Sequence, residues 1–311
     1  MEHNTESLAL LIVHGTELPN SDITYLADGA RERGHRPLVV PWTELSVCLD
    51  EFGPQLCANG RPLVADGIIH QLSTDALGGL AVLAAVEERV PHLNSADPVL
   101  RSADKFATHV RLAAHGVPTP ATALCPNDRE LRAFAAAFGY PVVLKQPDGA
   151  RGAEVALARD AAELPAKAAS IRERGHTLLV QRFYAEAAGC NHRVLVVGGR
   201  FFAAAEQRGR PGDFRSNGPG DVSRPVELTE TEIAVAEQAA RAAELDLMSA
   251  DLLRTADGPV ILETNSFPNF GGFDGIDVRR PILDLIEAKC AARRRAAAAP
   301  PVTTAAEVLA G

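Results

Sequence analysis

The chain has 311 residues, 46 % of them hydrophobic and 23 % charged, which is the make-up of a soluble globular protein with room for two domains or one large one. A net charge of −9 and a pI near 5.5 argue against a nucleic-acid partner, which needs a basic patch or stripe. No apolar run approaches the roughly 18 residues of a membrane helix, and the opening MEHNTESLALLIVHG lacks a basic leader pattern, so no membrane association is expected. The five cysteines (Cys48, Cys57, Cys125, Cys190, Cys290) are scattered without metal-type pairs and read as free thiols in a reducing cytoplasm.

The first predicted element is a compact apolar strand from Ser7 to His14, ended by Gly15 and a turn. Ile23 to Arg33 has helical periodicity and Gly34 stops it. Strands follow at Arg36 to Pro41 and Leu63 to His70, then a helix from Leu77 to Arg89. Strands alternating with helices imply a parallel sheet with helices on its faces, so 1–97 reads as a small α/β domain. His14, Trp42 and His70 fall at strand ends, where open α/β sheets place ligands. The plainer reading, which we favour, gives them core or surface roles.

Asn94 to Pro98 marks a boundary. A helix is expected from about Asp104 to His115, with Lys105 in its first turn. Asn127 and Asp128 cap a helix over Arg129 to Phe138, closed by Gly139. The strand Tyr140 to Lys145 then ends in a lysine and runs into QPDGARGAEVAL. A strand lysine followed by a glycine-rich loop is a recurrent way to hold a triphosphate, since loop amides cradle oxygens and the lysine adds a point charge. The loop matches neither GxxxxGK[ST] nor GxGxxG.

Further on, a helix is expected over Ala161 to Arg174 and a strand over Thr177 to Phe183, whose exit could offer a backbone edge to an adenine ring. Asn191 to Val197 and Arg200 to Glu206 form a hairpin around Gly198-Gly199. The following loop, GRPGDFRSNGPGD, carries Arg208, Arg210 and Arg215 at or beside it and is too rich in Gly, Pro and Arg to be idle. Thr229 to Glu244 is a helix that starts with the capping box Thr229-Glu-Thr-Glu232.

Asp251 to Asn265, DLLRTADGPVILETN, reads as a second hairpin around Asp257-Gly258. Glu263 and Asn265 are two apart and share a face, and Asp251 can come opposite them. Two carboxylates and an amide are hard oxygen ligands that suit Mg²⁺ holding substrate phosphates; a solvated hairpin face is the plain alternative. Beyond lies the loop FPNFGGFDG, then a helix from Pro281 to Cys290, and from Ala291 a segment rich in Ala, Arg and Pro that reads as a disordered tail over 291–311.

Taken together, SADK, YPVVLK, GARGAEV, LLVQRF, NHRVLVVGG, GDFRSN, DLLR and ETNSFP, in this order, resemble the ATP-grasp ligases, and within them the RimK-type branch of ribosomal-protein glutamate ligases. The likeness runs from about Leu8 to Cys290. It implies α/β architecture with α+β subdomains: a small N-terminal pre-ATP-grasp domain (1–97), a central lid subdomain (98–175) and a C-terminal ATP-grasp subdomain with the metal site (176–290). It implies that Lys105 and Lys145 hold phosphates, that Gly149 and Gly152 belong to the lid loop, and that Gln181, Arg182 and Phe183 form the adenine edge. By the same resemblance Asn191 contacts the ribose or nucleotide, Arg215, Ser216 and Asn217 lie beside the γ-phosphate, with Arg215 and Asn217 in catalytic roles, and Asp251, Glu263 and Asn265 bind two Mg²⁺ ions, for which Mn²⁺ can substitute. The implied reaction is ATP-dependent: a carboxylate takes the γ-phosphoryl group to give an acylphosphate and ADP, and an amine then displaces phosphate. The implied partners are ATP, an amino-acid carboxylate donor and an amine acceptor on a peptide, protein tail or carrier protein. Relatives are often oligomeric, so the resemblance allows a homo-oligomer.

The sequence departs from the branch at Arg182, usually acidic there, at Asn191, usually Asp, and after Asn265, where Ser266-Phe267-Pro268-Asn269-Phe270-Gly271-Gly272 replaces a Ser-Pro-Gly type turn. ATP and metal chemistry therefore carry over better than glutamate specificity. The two phenylalanines suit an acceptor pocket and a packed-down loop equally. Two other readings stay open: loading of an amino acid onto a carrier-protein thiol, and a nucleotide-binding regulatory protein without ligase activity.

Overall fold

The computed structural model describes residues 6–15, 19–73, 76–147, 155–172, 177–216 and 222–298. In chain order the elements are β1 (Ala9–His14), α1 (Ser21–Glu32), β2 (Arg36–Pro41), β3 (Leu45–Asp50), β4 (Gly53–Ala58), β5 (Arg61–Pro62), β6 (Gly67–His70), α2 (Leu77–Ala84), β7 (His92–Leu93) and α3 (Ala96–Ser102). Then come α4 (Lys105–Ala114), β8 (Thr122–Cys125), α5 (Asp128–Phe138), β9 (Val142–Lys145), β10 (Val155–Ala158), α6 (Glu163–Arg172) and β11 (Leu178–Arg182). The remainder is β12 (Cys190–Val197), β13 (Arg200–Arg208), β14 (Val222–Pro225), α7 (Glu230–Ala243), β15 (Leu247–Thr255), β16 (Gly258–Asn265) and α8 (Arg279–Ala298).

The first sheet is parallel, in the order β2-β1-β6-β7. Its strands read as continuous apolar runs because both faces are covered. Leu10 and Ile12 pack toward α1 and α8, while Leu11 and Val13 join the core that reaches α2. His70 Nε2 donates to the Asn94 carbonyl (2.7 Å), His14 is buried, and Trp42 packs over Gly78 and Gly79, so these three side chains are packing groups. Asn94 ties this sheet to the hairpin beyond: its amide accepts from Leu247 N–H (2.7 Å) and donates to the carbonyls of Leu247 and Ser266.

Four strands, β10-β9-β11-β8, form an antiparallel sheet backed by α5 and α6. The strand Leu178–Arg182 lies between β9 and β8, so its pairing is with the elements that precede it. The largest sheet, β14-β13-β12-β15-β16, is antiparallel throughout. Even-numbered residues of β12 (Val194, Val196) pack against the alanine-rich face of α7, and Leu195 and Val197 pack toward α8 and the loop after β16. Thr229 and Glu232 close the expected capping box of α7.

Several expectations need correction. The segment 291–298 is not a disordered tail: α8 continues to Ala298, because Ala and Arg favour the helix and no Gly or Pro falls between Pro281 in its first turn and Pro300. Ile282, Leu283, Ile286 and Cys290 bury its inner face, and Arg294 reaches Asp66 (2.8 Å) and Glu6. Residues 299–311 lie outside the described part. Helix α2 ends at Ala84, five residues early. The third strand begins at Gly67, and β15 begins four residues before Asp251. The antiparallel sheet β3-β4-β5 was not foreseen, since its exposed Leu49 and Phe52 disguise the alternation.

Candidate active site

The β15–β16 ladder sets the geometry. Asp251 faces Glu263, and Ser249 faces Asn265, with a register shift just after Asp251. Residues directly opposite share a sheet face, so the two carboxylates stand side by side. On the other flank β12 places Arg193 directly opposite Asp251, and its Nε lies 3.1 Å from Asp251 Oδ1. Asp251 is 2 % exposed. Burial raises its pKa, Arg193 pulls it down, and the neighbouring Glu263 pushes it up again. The buried Asp251 and half-buried Glu263 together call for cations beyond the single arginine.

Two lysines come to the same place from different elements. Lys105 opens α4, whose N-cap Asp104 accepts from Ala107 N–H. The Lys105 backbone N–H donates to the Pro147 carbonyl (2.9 Å), which brings the start of α4 to the end of β9. There Lys145 closes β9 and is 7 % exposed. The Lys105 ammonium lies 3.5 Å from Glu263 Oε1. Burial pulls the Lys145 ammonium down to about 8, opposed by Glu263 and assisted by the like charge of Lys105. The lysines are thus held near carboxylates that do not fully balance them, in a setting where a polyphosphate would.

His109, one turn beyond Lys105 on α4, links these lysines to the expected adenine edge. Its Nε2 lies 2.8 Å from the Gln181 amide nitrogen, which also donates to Thr122 Oγ1 at 2.8 Å. Burial, then Lys145 and Lys105, hold the ring neutral, with a pKa of about 3. A neutral Nε2 accepts the Gln181 N–H, which fixes that side chain. The Arg182 N–H donates to the Ala121 carbonyl (2.9 Å), and its guanidinium sits 5.2 Å over the Tyr184 ring. Phe183 meets Phe214 edge-on at 6.1 Å, so the exit of β11 touches the arginine loop.

In that loop Arg215 grips Asp213 with both Nε and Nη2 (3.0 and 2.8 Å), and the loop folds back on Gly189, whose N–H donates to the Phe214 carbonyl. Ser216 follows it. Asn217, Gly149 and Gly152 lie outside the described residues. Asn191 is 1 % exposed on the same face as Arg193, opposite Gln207, and neither side-chain oxygen has a hydrogen-bond partner. Buried orphan acceptors of this kind suit a ligand hydroxyl or amine, as the ribose assignment of Asn191 requires. The donor set fits Mg²⁺ as well: Asp251, Glu263 and Asn265 supply only hard oxygens.

The structure therefore brings together Lys105, Lys145, Asp251, Glu263 and Arg193, with Asn191 and Asn265 on neighbouring positions of the same sheet. The sequence reading missed Arg193, although it stands two residues after Asn191 and so shares its face. It also missed His109, which follows Lys105 by four. The loop after Asn265 is packed down: Phe270 and Phe273 are buried, Phe267 stacks on Phe270 at 5.7 Å, and Phe270 N–H reaches Asp22. Gly272 lets the loop lie on β14, since a Cβ there would sit 2.0 Å from Ser223 Oγ.

The model of the RimK-like ATP-grasp domain matches residues 102–286. A protein of Xanthomonas axonopodis pv. citri named probable alpha-L-glutamate ligase is 33 % identical over 256 residues, covering 81 % of this chain and 87 % of its own length. Among solved structures, ATP-grasp ligase PsnB complexed with a minimal precursor superposes with a TM-score of 0.73 at 22 % identity, covering 90 % of this chain and 98 % of that one. D-cycloserine synthetase DcsG gives 0.68 at 22 %, covering 92 % and 99 %. At such identities these two structures speak to the fold. Among the described residues no helix is long and apolar enough to cross a membrane.

Proposed function

The chain belongs to the RimK-like ATP-grasp family, and from that membership we propose that it joins an amino acid to a peptide, protein or small-molecule acceptor through an amide bond in the cytoplasm, using ATP and Mg²⁺. It is an ADP-forming carboxylate–amine ligase. The observation that carries the reading is the meeting of Asp251 and Glu263 with Lys105 and Lys145.

In the proposed reaction a carboxylate oxygen of one substrate attacks the γ-phosphorus, and the bond to the β-bridging oxygen breaks to release ADP. The amine nitrogen of the second substrate then attacks the acyl carbon. Phosphate leaves with the bonding electrons, and the ammonium proton passes to solvent or phosphate. Lys145 and Lys105 neutralise phosphate oxygens. Arg215 stands ready beside the γ-phosphate once it exchanges Asp213 for the nucleotide, with Ser216 and Asn217 beside it. Arg193 keeps Asp251 ionised and aimed. Asn191 binds the ribose, and the β11 exit at Gln181, Arg182 and Phe183 holds adenine, with the Gln181 side chain held by His109. Asp251, Glu263 and Asn265 would hold Mg²⁺, which supplies charge neutralisation of the transferring phosphoryl group.

The relatives' name makes glutamate the first amino acid to test, and the packed FPNFGG loop is a reason to expect a different acceptor. The test is ADP and phosphate release with a panel of amino acids, with and without peptide or carrier acceptors, read by mass spectrometry. A product heavier by one amino-acid residue, with equal ADP and phosphate, is expected. ATP binding without turnover against the whole panel would contradict the reading.

A further inference from the structure

On the opposite face of the large sheet, Cys190, His192 and Glu206 gather their Sγ, ring nitrogen and carboxylate oxygen within 4.8 Å of one another. Cys190 and His192 are two apart on β12 and so point the same way, and Glu206 stands directly across from His192 on β13. We propose that these three side chains bind a divalent transition metal of the Zn²⁺ class, at a site separate from the Asp251–Glu263 pair.

The strongest sign is His192. It is 3 % exposed, yet neither ring nitrogen has a hydrogen-bond partner. The Leu252 carbonyl opposite it is close enough to favour the protonated ring slightly, but not placed for a proper bond. A buried imidazole left this way is an open ligand. Its Nε2 lies 3.9 Å from Glu206 Oε2. Ligands bound at about 2.0–2.3 Å to one tetrahedral zinc sit roughly 3.3–3.8 Å apart, so closure needs about one ångström of side-chain movement.

The arginines around Glu206 orient the ligand without occupying it. Oε1 takes three of the four bonds, from Arg208 Nε (2.7 Å), Arg224 Nε (3.0 Å) and Arg224 Nη2 (2.8 Å). Oε2, which faces His192, takes only the longer one from Arg208 Nη2 (3.1 Å). Such outer partners are the usual supports of a metal-bound carboxylate. Both guanidinium groups are largely exposed, at 58 % and 68 %, so water screens their repulsion of a cation. A thiolate and a carboxylate bring the two negative charges that a divalent ion needs. A thiolate and an imidazole also select zinc-like ions over Mg²⁺. A cavity of about 420 Å³ lined by Glu206, Arg208, Arg210 and Arg224 opens beside the cluster and leaves room for a water as fourth ligand.

The site lies at the root of the arginine loop. Gly189, next to Cys190, donates its N–H to the Phe214 carbonyl and accepts the Gly209 N–H. A metal there would anchor the strand ends from which Arg215 hangs.

The test uses the full reduced chain, stripped with chelator and freed of ATP and Mg²⁺, titrated with Co²⁺. One equivalent should produce a thiolate-to-cobalt charge-transfer band and strong tetrahedral visible bands, and Zn²⁺ should erase both and raise the melting temperature. Cys190→Ala, a change at a half-exposed position, should abolish the charge-transfer band, while Asp251→Asn should retain it. No band in the natural chain, a band that survives Cys190→Ala, or one lost in Asp251→Asn would each overturn the proposal.

Discussion

The two faces of the β12–β16 sheet treat charge in opposite ways. On the face that packs α7, buried carboxylates are matched. Glu232 receives Arg254 at 2.5 and 3.0 Å while capping its own helix, and Glu206 holds two arginines, chiefly Arg208, that lower its pKa to about 2. On the opposite face, among the described residues, cations outnumber carboxylates, with Arg193, Lys105 and Lys145 gathered around Asp251 and Glu263. Asp251 is buried beside Glu263, and Lys145 is buried near Lys105; burial moves both toward their neutral forms. The matched Glu232–Arg254 pair serves the fold. The unmatched set keeps its free energy for a ligand that carries Mg²⁺ and phosphates, which is the sense in which a site is preorganised.

The contrast breaks most sharply at Asp251. Asp251→Asn is expected to lower the rate of ADP release by about 10³-fold or more, since it removes a ligand from the phosphoryl-neutralising ion. The same change relieves repulsion with Glu263 but takes the carboxylate away from the part-buried Arg193 guanidinium, so the variant should stay folded with a lowered melting temperature. A variant that loses activity only because it unfolds would break the comparison. Next comes Lys145→Met, expected to raise the KM for ATP about 10²-fold, from loss of a charge-assisted contact in a buried setting. An unchanged KM would remove Lys145 from the phosphate site.

A smaller effect sharpens the contrast through pH. The free Lys145 ammonium has a pKa of about 8, lowered by burial, so it is charged below that pH and neutral above it. Phosphates favour the charged form. Nucleotide affinity without metal should therefore be flat below pH 8 and fall above it by up to about tenfold per unit, with one proton taken up on binding. Affinity that holds constant from pH 7 to pH 9.5, measured by calorimetry in two buffers, would contradict this. The smallest effect belongs to the matched face: Glu232→Gln, which can still close the capping box, should cost about 1 kcal/mol of stability by denaturant melting, through the lost charge opposite Arg254. Its KM for ATP should not move, and a shift there would show that the faces are not separate.

Much of this was legible in the sequence because the signals are local. Gly198-Gly199 and Asp257-Gly258 announce hairpins, Thr229 to Glu232 a capped helix, and the two-residue spacing of Glu263 and Asn265 a shared face. What escaped depends on pairing across the chain. Arg193 matters only because β12 docks beside β15 with Asp251 in register, and His109 only because α4 lies against the β8–β11 sheet. The cysteines looked scattered for the same reason: the partner of Cys190 and His192 is Glu206, brought opposite by a hairpin. The phenylalanine loop could not be decided from sequence, since apolar residues serve a pocket and a plug alike; contacts with Tyr25 and Asp22 of α1 make it a plug.

The central claim is that a carboxylate is activated by the γ-phosphoryl group at the Asp251–Glu263 pair. The direct measurement follows heavy oxygen from the carboxylates of a labelled substrate, first glutamate or an acidic peptide, into the phosphate released with product. The account predicts one labelled oxygen per phosphate from the natural chain and no phosphate above background from Asp251→Asn. Product formed with unlabelled phosphate would contradict it, because no acylphosphate could then lie on the path.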